Sequence, residues 1–157
     1  LLAGAKDWYV REVANYVRRT LKRVDLSAKG FYAVAEEHTT FVGTFLELLL
    51  ACDRSYAKLV DSDGATFGVT AVNGGFFPMS NGISRLATRF LGTPDAVETV
   101  LEQAADFDTQ TADELGLATY APDDIDWDDE VRLAIEERSA FSPDALTGME
   151  ANLRFAA

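Results

Sequence analysis

The sequence predicts an α/β domain that ends in a helical part. Three observations predict it. Strand-like apolar runs alternate with helical periodicities up to about Gly92, the patterns after that point are mostly helical, and 157 residues suffice for one domain with one substantial core.

The elements follow in order. Residues 5–24 read as an amphipathic helix, because Trp8 or Tyr9, Val13, Tyr16, Val17, Leu21 and Val24 recur at three- and four-residue steps. Arg11, Arg18, Arg19 and Lys22 fall mostly on its other face. Residues 31–36, a short apolar run after Gly30, predict a buried strand. The polar turn Glu37-His38-Thr39-Thr40 leads through Phe41 and Val42 to Gly43-Thr44 and an apolar helix from Phe45 to about Ala51. Arg54 to Leu59 fits a strand, residues 61–64 a turn, and Ala65 to Val72 a β-prone run. A loop rich in glycine and breakers spans Asn73–Gly82, and Ile83 to Leu91 reads as helix stopped by Gly92. Thr93-Pro94 supplies a cap and a first-turn proline for a helix to about Ala105. Thr109 or Thr111 caps a short helix ended by Gly116, and a strand from Leu117 to Tyr120 follows. Asp126 caps a helix from Trp127 to about Ser139, and Ser142-Pro143 opens the last helix.

Composition narrows the function classes. An apolar fraction of 48% with 10 Phe, 5 Tyr and 2 Trp excludes a disordered chain. Apolar stretches such as Leu48–Cys52 are far too short to span a bilayer. The single cysteine, Cys52, suits a reducing, cytoplasmic compartment. A net charge of −12 argues against nucleic acid as a partner. The charge is uneven: residues 1–30 carry seven Lys/Arg against three acids, whereas residues 95–150 carry 17 acids against Arg132 and Arg138. The acidic half reads as a solvated surface, and the basic segment as a weak attractor for an anionic ligand.

Few residues are placed for chemistry. His38 and Cys52 form no metal-ligating cluster, and the Asn73-Gly74-Gly75 loop lacks the lysine and spacing of a phosphate cradle. His38 reads as an exposed turn residue and Cys52 as an inert buried thiol. The segment of interest is Gly43-Thr44-Phe45-Leu46-Glu47, in which a strand gives way to a helix at a glycine. Free N–H groups in the first turn of such a helix suit an oxyanion formed on a thioester carbonyl. Glu47 projects from the same turn. Thr44-x-x-Glu47 equally fits a capping box, in which the glutamate only bonds back to the threonine backbone.

Residues 43–53, Gly-Thr-Phe-Leu-Glu-Leu-Leu-Leu-Ala-Cys-Asp, are similar to the segment Gly-Gly-Gly-Cys-Glu-Leu-Ala-x-x-Cys-Asp of the crotonase (enoyl-CoA hydratase/isomerase) superfamily. Pro78-x-x-Asn81-Gly82-x-Ser84-Arg85-Leu86 resembles its Pro-Gly-x-Gly-Gly-x-x-Arg-Leu stretch, and residues 111–118 resemble its Ala-x-x-Ala-x-x-x-Gly-Leu-Val segment. The resemblance implies a crotonase-like (ClpP/crotonase) ββα superhelix with a helical C-terminal part. It also implies one oxyanion N–H from Gly43 or Thr44 and an acid/base position at Glu47. Glu36, Thr40, Phe77 and Asn81 would be substrate-binding neighbours. Ala71 stands where many hydratases have a second glutamate, which argues against simple two-carboxylate hydration.

A nearer resemblance is to the branch of the superfamily that opens the ring of 2,3-epoxybenzoyl-CoA in aerobic benzoate breakdown. It rests on residues 8–12, 41–44, 51–56 and 77–82, on the acidic segment Ala121–Glu130, and on Leu146–Phe155. The implied reaction is hydrolytic, yielding 3,4-dehydroadipyl-CoA semialdehyde and formate. No metal or redox cofactor is implied, since the CoA belongs to the substrate. A plain enoyl-CoA hydratase or isomerase, and a non-catalytic acyl-CoA-binding or assembly module, are the competing readings. Leu1 is not an initiator methionine and residues 152–157 still look helical. The expectation is therefore a single partial domain over residues 1–157, lacking early strands and the extreme C-terminus and inactive alone. The expected partners are an acyl-CoA thioester and further copies of the chain, with no nucleic acid and no membrane.

Overall fold

In the computed structural model, residues 6–103 and 106–154 are described. The chain runs through helix α1 (Trp8–Asp25), strands β1 (Tyr32–Ala35) and β2 (Thr40–Val42), helix α2 (Thr44–Leu50), and strands β3 (Arg54–Ala57) and β4 (Thr66–Gly68). A 3-10 turn (Ala71–Gly74) follows, then α3 (Arg85–Arg89), α4 (Ala96–Leu101), β5 (Asp106–Phe107), α5 (Thr109–Glu114), α6 (Trp127–Ser139) and α7 (Pro143–Arg154).

Successive strands go to different sheets. β1 pairs in parallel with β3, Tyr32 opposite Arg54 through Ala35 opposite Ala57. β2 pairs in parallel with β4, Thr40 opposite Thr66 through Val42 opposite Gly68. Parallel neighbours need a crossover, and the segment holding α2 supplies it for both pairs. The repeat is thus strand, strand, helix, with each new turn adding one strand to each sheet. β5 closes the second sheet antiparallel to β4. The expected crotonase-like ββα superhelix is thus present, and Thr40, expected in a turn, begins its second strand.

The core lies between the sheets and the short helices. Leu46, Leu49, Phe67, Leu86, Val100, Ala112 and Leu117 are all at most 2% exposed. Each large member contributes about 1.5–3 kcal/mol through removal from water. A second cluster joins Tyr56, Trp127 and Ala134, with Tyr32 and Val131 packed against it. It seats the acidic helix α6, whose first-turn acids Asp128, Asp129 and Glu130 face solvent as expected of a solvated surface.

Several expectations are corrected. The recurring residues of α1 do not form one buried face: Trp8, Tyr9, Val13 and Tyr16 are 43–67% exposed, and the buried positions are Ala14, Leu21 and Asp25. The helix touches the body with a side that includes a carboxylate. Thr93 and Pro94 do not begin the regular helix, because their carbonyls accept from residues three positions on, Ala96 and Val97. α4 starts only after Asp95. Neither Thr109 nor Thr111 caps α5; the Asp108 carboxylate does, accepting from the Thr111 N–H at 2.9 Å. Residues 117–120 form no regular strand. The N–H groups of Leu117 and Ala118 turn back to the Ala112 carbonyl to close α5, leaving an isolated bridge between Tyr120 and Tyr56. Asp106 and Phe107 are strand where sequence periodicity offered no signal. The expected helix limits at Ala5 and Ala105, and the chain ends, lie outside the described residues.

Candidate functional site

The junction between β2 and α2 is made by Gly43, whose φ of +56° is a conformation that glycine adopts without the Cβ penalty. Its N–H donates to the Gly68 carbonyl at 3.1 Å, extending the β2–β4 pairing by one step. That N–H is therefore consumed, which removes Gly43 from the two expected sources of an oxyanion N–H and leaves Thr44. Thr44 is the first residue of α2, and no carbonyl earlier in the helix can accept its N–H.

Glu47 sits one turn into α2 and is 1% exposed. The capping box is absent: Gly43 is the N-cap residue and no side chain caps the helix. The glutamate turns inward instead, because two donors await it there. Asn73 Nδ2 donates to Oε1 and Arg85 Nη1 donates to Oε2, both at 2.9 Å. The same Asn73 amide donates to the Gly43 carbonyl at 2.9 Å, and its Oδ1 accepts from the Thr70 N–H at 2.9 Å. The 3-10 turn therefore ties the glycine junction to the carboxylate.

Arg85 is held from the other side by Asp25, the last residue of α1. Nε donates to Oδ1 at 2.9 Å and Nη2 to Oδ2 at 2.5 Å, a forked pair. Arg85 Nη1 also donates to the Phe77 carbonyl at 2.7 Å. Asp25 and Arg85 are each 2% exposed. One buried cation thus lies between two buried carboxylates. Loss of hydration raises the Glu47 pKa above its ordinary value, against the opposing pull of the Asn73 and Arg85 hydrogen bonds.

The other expected residues are only partly gathered here. Phe77 is buried and reaches the site through its carbonyl, not its ring. Glu36 accepts from the Trp127 indole N–H at 3.1 Å, so it anchors α6. Thr40 is exposed in β2 opposite Thr66. Asn81 is exposed and accepts from the Ile83 N–H at 3.0 Å, which shapes its own turn. Ala71, where the resemblance expects a second glutamate to be replaced, is exposed and opens the 3-10 turn that carries Asn73. His38 is an exposed turn residue with a φ of 63°. Cys52 is half-buried in the turn after α2, not sealed within the helix. It borders a cavity of about 250 Å³ lined also by Asp25, Met79, Arg85, Thr88 and Arg89. Among the described residues no group of three or more His, Cys, Asp and Glu is arranged to hold a metal ion.

Sequence reasoning missed Asp25, Asn73 and Arg85 as site residues. Arg85 lay inside a quoted motif, but its partners are 60 and 38 residues away and no local pattern joins them.

Solved structures with the same arrangement decide the fold. The chain superimposes on an enoyl-CoA hydratase from Bacillus anthracis with a TM-score of 0.68 at 20% identity, covering 95% of this chain and 55% of that one. The fold is that of the crotonases. An enoyl-CoA hydratase-like protein from Streptomyces avermitilis matches this crotonase fold with a TM-score of 0.65 at 28% identity, over 86% of this chain and 46% of that one. At the sequence level the chain is 49% identical over 154 residues to the benzoyl-CoA-dihydrodiol lyase of Aromatoleum evansii. That match covers 98% of this chain and spans 28% of the lyase's length. No family model matches the chain. Among the described residues no helix is long and apolar enough to cross a membrane.

Proposed function

We propose that the chain carries the carboxylate-bearing part of a crotonase-type CoA-thioester site in a cytoplasmic enzyme. The whole protein would open the ring of 2,3-epoxybenzoyl-CoA. The observation that carries this reading is Glu47, a buried carboxyl held by Asn73 and Arg85 on the first turn of a helix whose Thr44 N–H has no helical acceptor. The 49% identity to a benzoyl-CoA-dihydrodiol lyase supports the choice of substrate class.

The chemistry follows from the groups at hand. A donor at the thioester oxygen withdraws electron density from the ring, which makes its carbons open to attack by water. A carboxyl that holds its proton more tightly than usual can serve as a general acid and returns as a base once it has lost that proton. Atom balance requires two waters per substrate, giving 3,4-dehydroadipyl-CoA semialdehyde and formic acid. Thr44 offers one donor for the oxyanion. A second donor would come from residues outside this chain, so the 157 residues alone would turn over little substrate. Loss of one oxyanion donor costs about 10²–10³ in rate.

The test is Glu47→Gln in the complete protein. Loss of ring opening with retained CoA-thioester binding supports the acid/base role, and unchanged turnover removes it. Crotonyl-CoA assayed beside epoxybenzoyl-CoA separates this reading from a plain hydratase. A second reading is favoured by one observation: both Glu47 oxygens are already bonded within the protein. Under it, the segment is a non-catalytic crotonase-like module that binds acyl-CoA or directs assembly, and Glu47→Gln would leave turnover intact.

A further inference from the structure

The buried cluster holds two carboxylates and one guanidinium, and they are not equivalent. Asp25 takes two N–H groups of Arg85 in a fork, at 2.9 and 2.5 Å. Glu47 takes one, from the Nη1 that also serves the Phe77 carbonyl. A forked, charge-assisted pair is the stronger of the two geometries. With all three groups at most 2% exposed, two anions against one cation would leave a net buried negative charge. Such a charge is costly in a low-dielectric interior and is relieved by taking up a proton.

We propose that Asp25 is a positioning residue for Glu47: by occupying the Arg85 guanidinium it leaves Glu47 as the carboxyl that keeps its proton. This rests on the acid/base reading of Glu47 given above. The charged groups that face Glu47 are Asp25 from the end of α1 and Arg85 from α3, and the 3-10 turn contributes the neutral amide of Asn73. Desolvation is the largest influence raising the Glu47 pKa, and Asp25 adds to it through space. Glu47 Oε1 and Oε2 each accept one hydrogen bond, which leaves a second lone pair on each oxygen to carry the proton. Asp25 never meets the substrate in this scheme. It sets the charge that Arg85 has left to offer.

The experiment follows the infrared carbonyl band of protonated carboxyl groups against pH in the complete protein. The wild type is expected to keep one such band above the ordinary glutamate pKa of 4.5. Glu47→Gln should delete it. Asp25→Asn frees Arg85 for Glu47, so the band's midpoint should fall by at least one pH unit, a tenfold loss of proton affinity. The alkaline limb of the pH–rate profile, on which a general acid loses its proton, should move to lower pH with it. Asp25→Glu restores the charge and should return the wild-type midpoint, which a merely structural role would not require. A midpoint unchanged or raised in Asp25→Asn overturns the proposal. If Asp25→Asn does not fold, survival of the band in Glu47→Gln overturns it by itself. A moved midpoint together with full turnover in Glu47→Gln would sink the acid/base reading while leaving the charge assignment standing. The reverse pattern would do the opposite.

Discussion

Arg85 donates to Glu47 Oε2 at 2.9 Å across 38 residues of sequence, and that one bond joins the helix after the glycine junction to the helix after the breaker-rich loop. Asp25 makes it a three-helix junction with a second set of bonds 60 residues away. The arrangement makes specific, measurable demands.

Arg85→Met should be among the most damaging single changes in the chain. It would leave Asp25 and Glu47 buried without their shared cation, and breaking a buried pair in this way costs about 3–5 kcal/mol. Replacing Asp25, Glu47 and Arg85 together with apolar residues of similar volume should cost much less. Urea unfolding midpoints of the two variants provide the comparison.

The pH dependence of stability carries the signature of Glu47. Its folded pKa is raised above the ordinary 4.5, so the folded state holds the proton more tightly than the unfolded chain. The stabilisation from that proton is complete below the unfolded pKa and is lost as pH rises through the folded value. The difference in Tm between wild type and Glu47→Gln should therefore shift against the wild type as pH climbs from about 4.5. A parallel pair of Tm curves would contradict this.

Gly43→Ala should destabilise the junction by about 1–3 kcal/mol, since a side chain is strained at a φ of +56°. The added Cβ would also come within 3.2 Å of Thr70 Oγ1, disturbing the turn that aims Asn73. Chemical denaturation measures the loss.

Asp108→Ala should cost about 1 kcal/mol through loss of the α5 cap. The Thr111 N–H holds the Asp108 pKa below its ordinary 3.8. Its contribution is therefore present above pH 3.8 and lost as pH falls through the depressed value. Comparing wild type and variant at neutral and strongly acidic pH should show the difference shrinking on the acid side.

Much of the architecture is local and was legible for that reason. Residues 31–36, 41–42 and 45–51 announce strand, strand and helix through apolar runs and one glycine, and β1, β2 and α2 stand within a residue or two of those limits. The helix from Trp127 to Ser139 follows the same logic. Periodicity failed where burial is decided by neighbours. α1 carries a regular apolar stripe, yet it leans on the body through Ala14, Leu21 and Asp25 and leaves Trp8, Tyr9 and Tyr16 in solvent.

The sequence by itself determined the strand over residues 32–35, the glycine junction and the position of Glu47 on the first turn of α2, because each depends on residues within one turn of one another. Only the tertiary structure decided what Glu47 does with that position. Thr44-x-x-Glu47 permits a surface cap, and the carboxylate goes inward because Asn73 and Arg85, brought from 26 and 38 residues away, offer it charge and hydrogen bonds that its own helix cannot. The partner of a buried charge is chosen by three-dimensional proximity, and spacing along the chain carries no record of it.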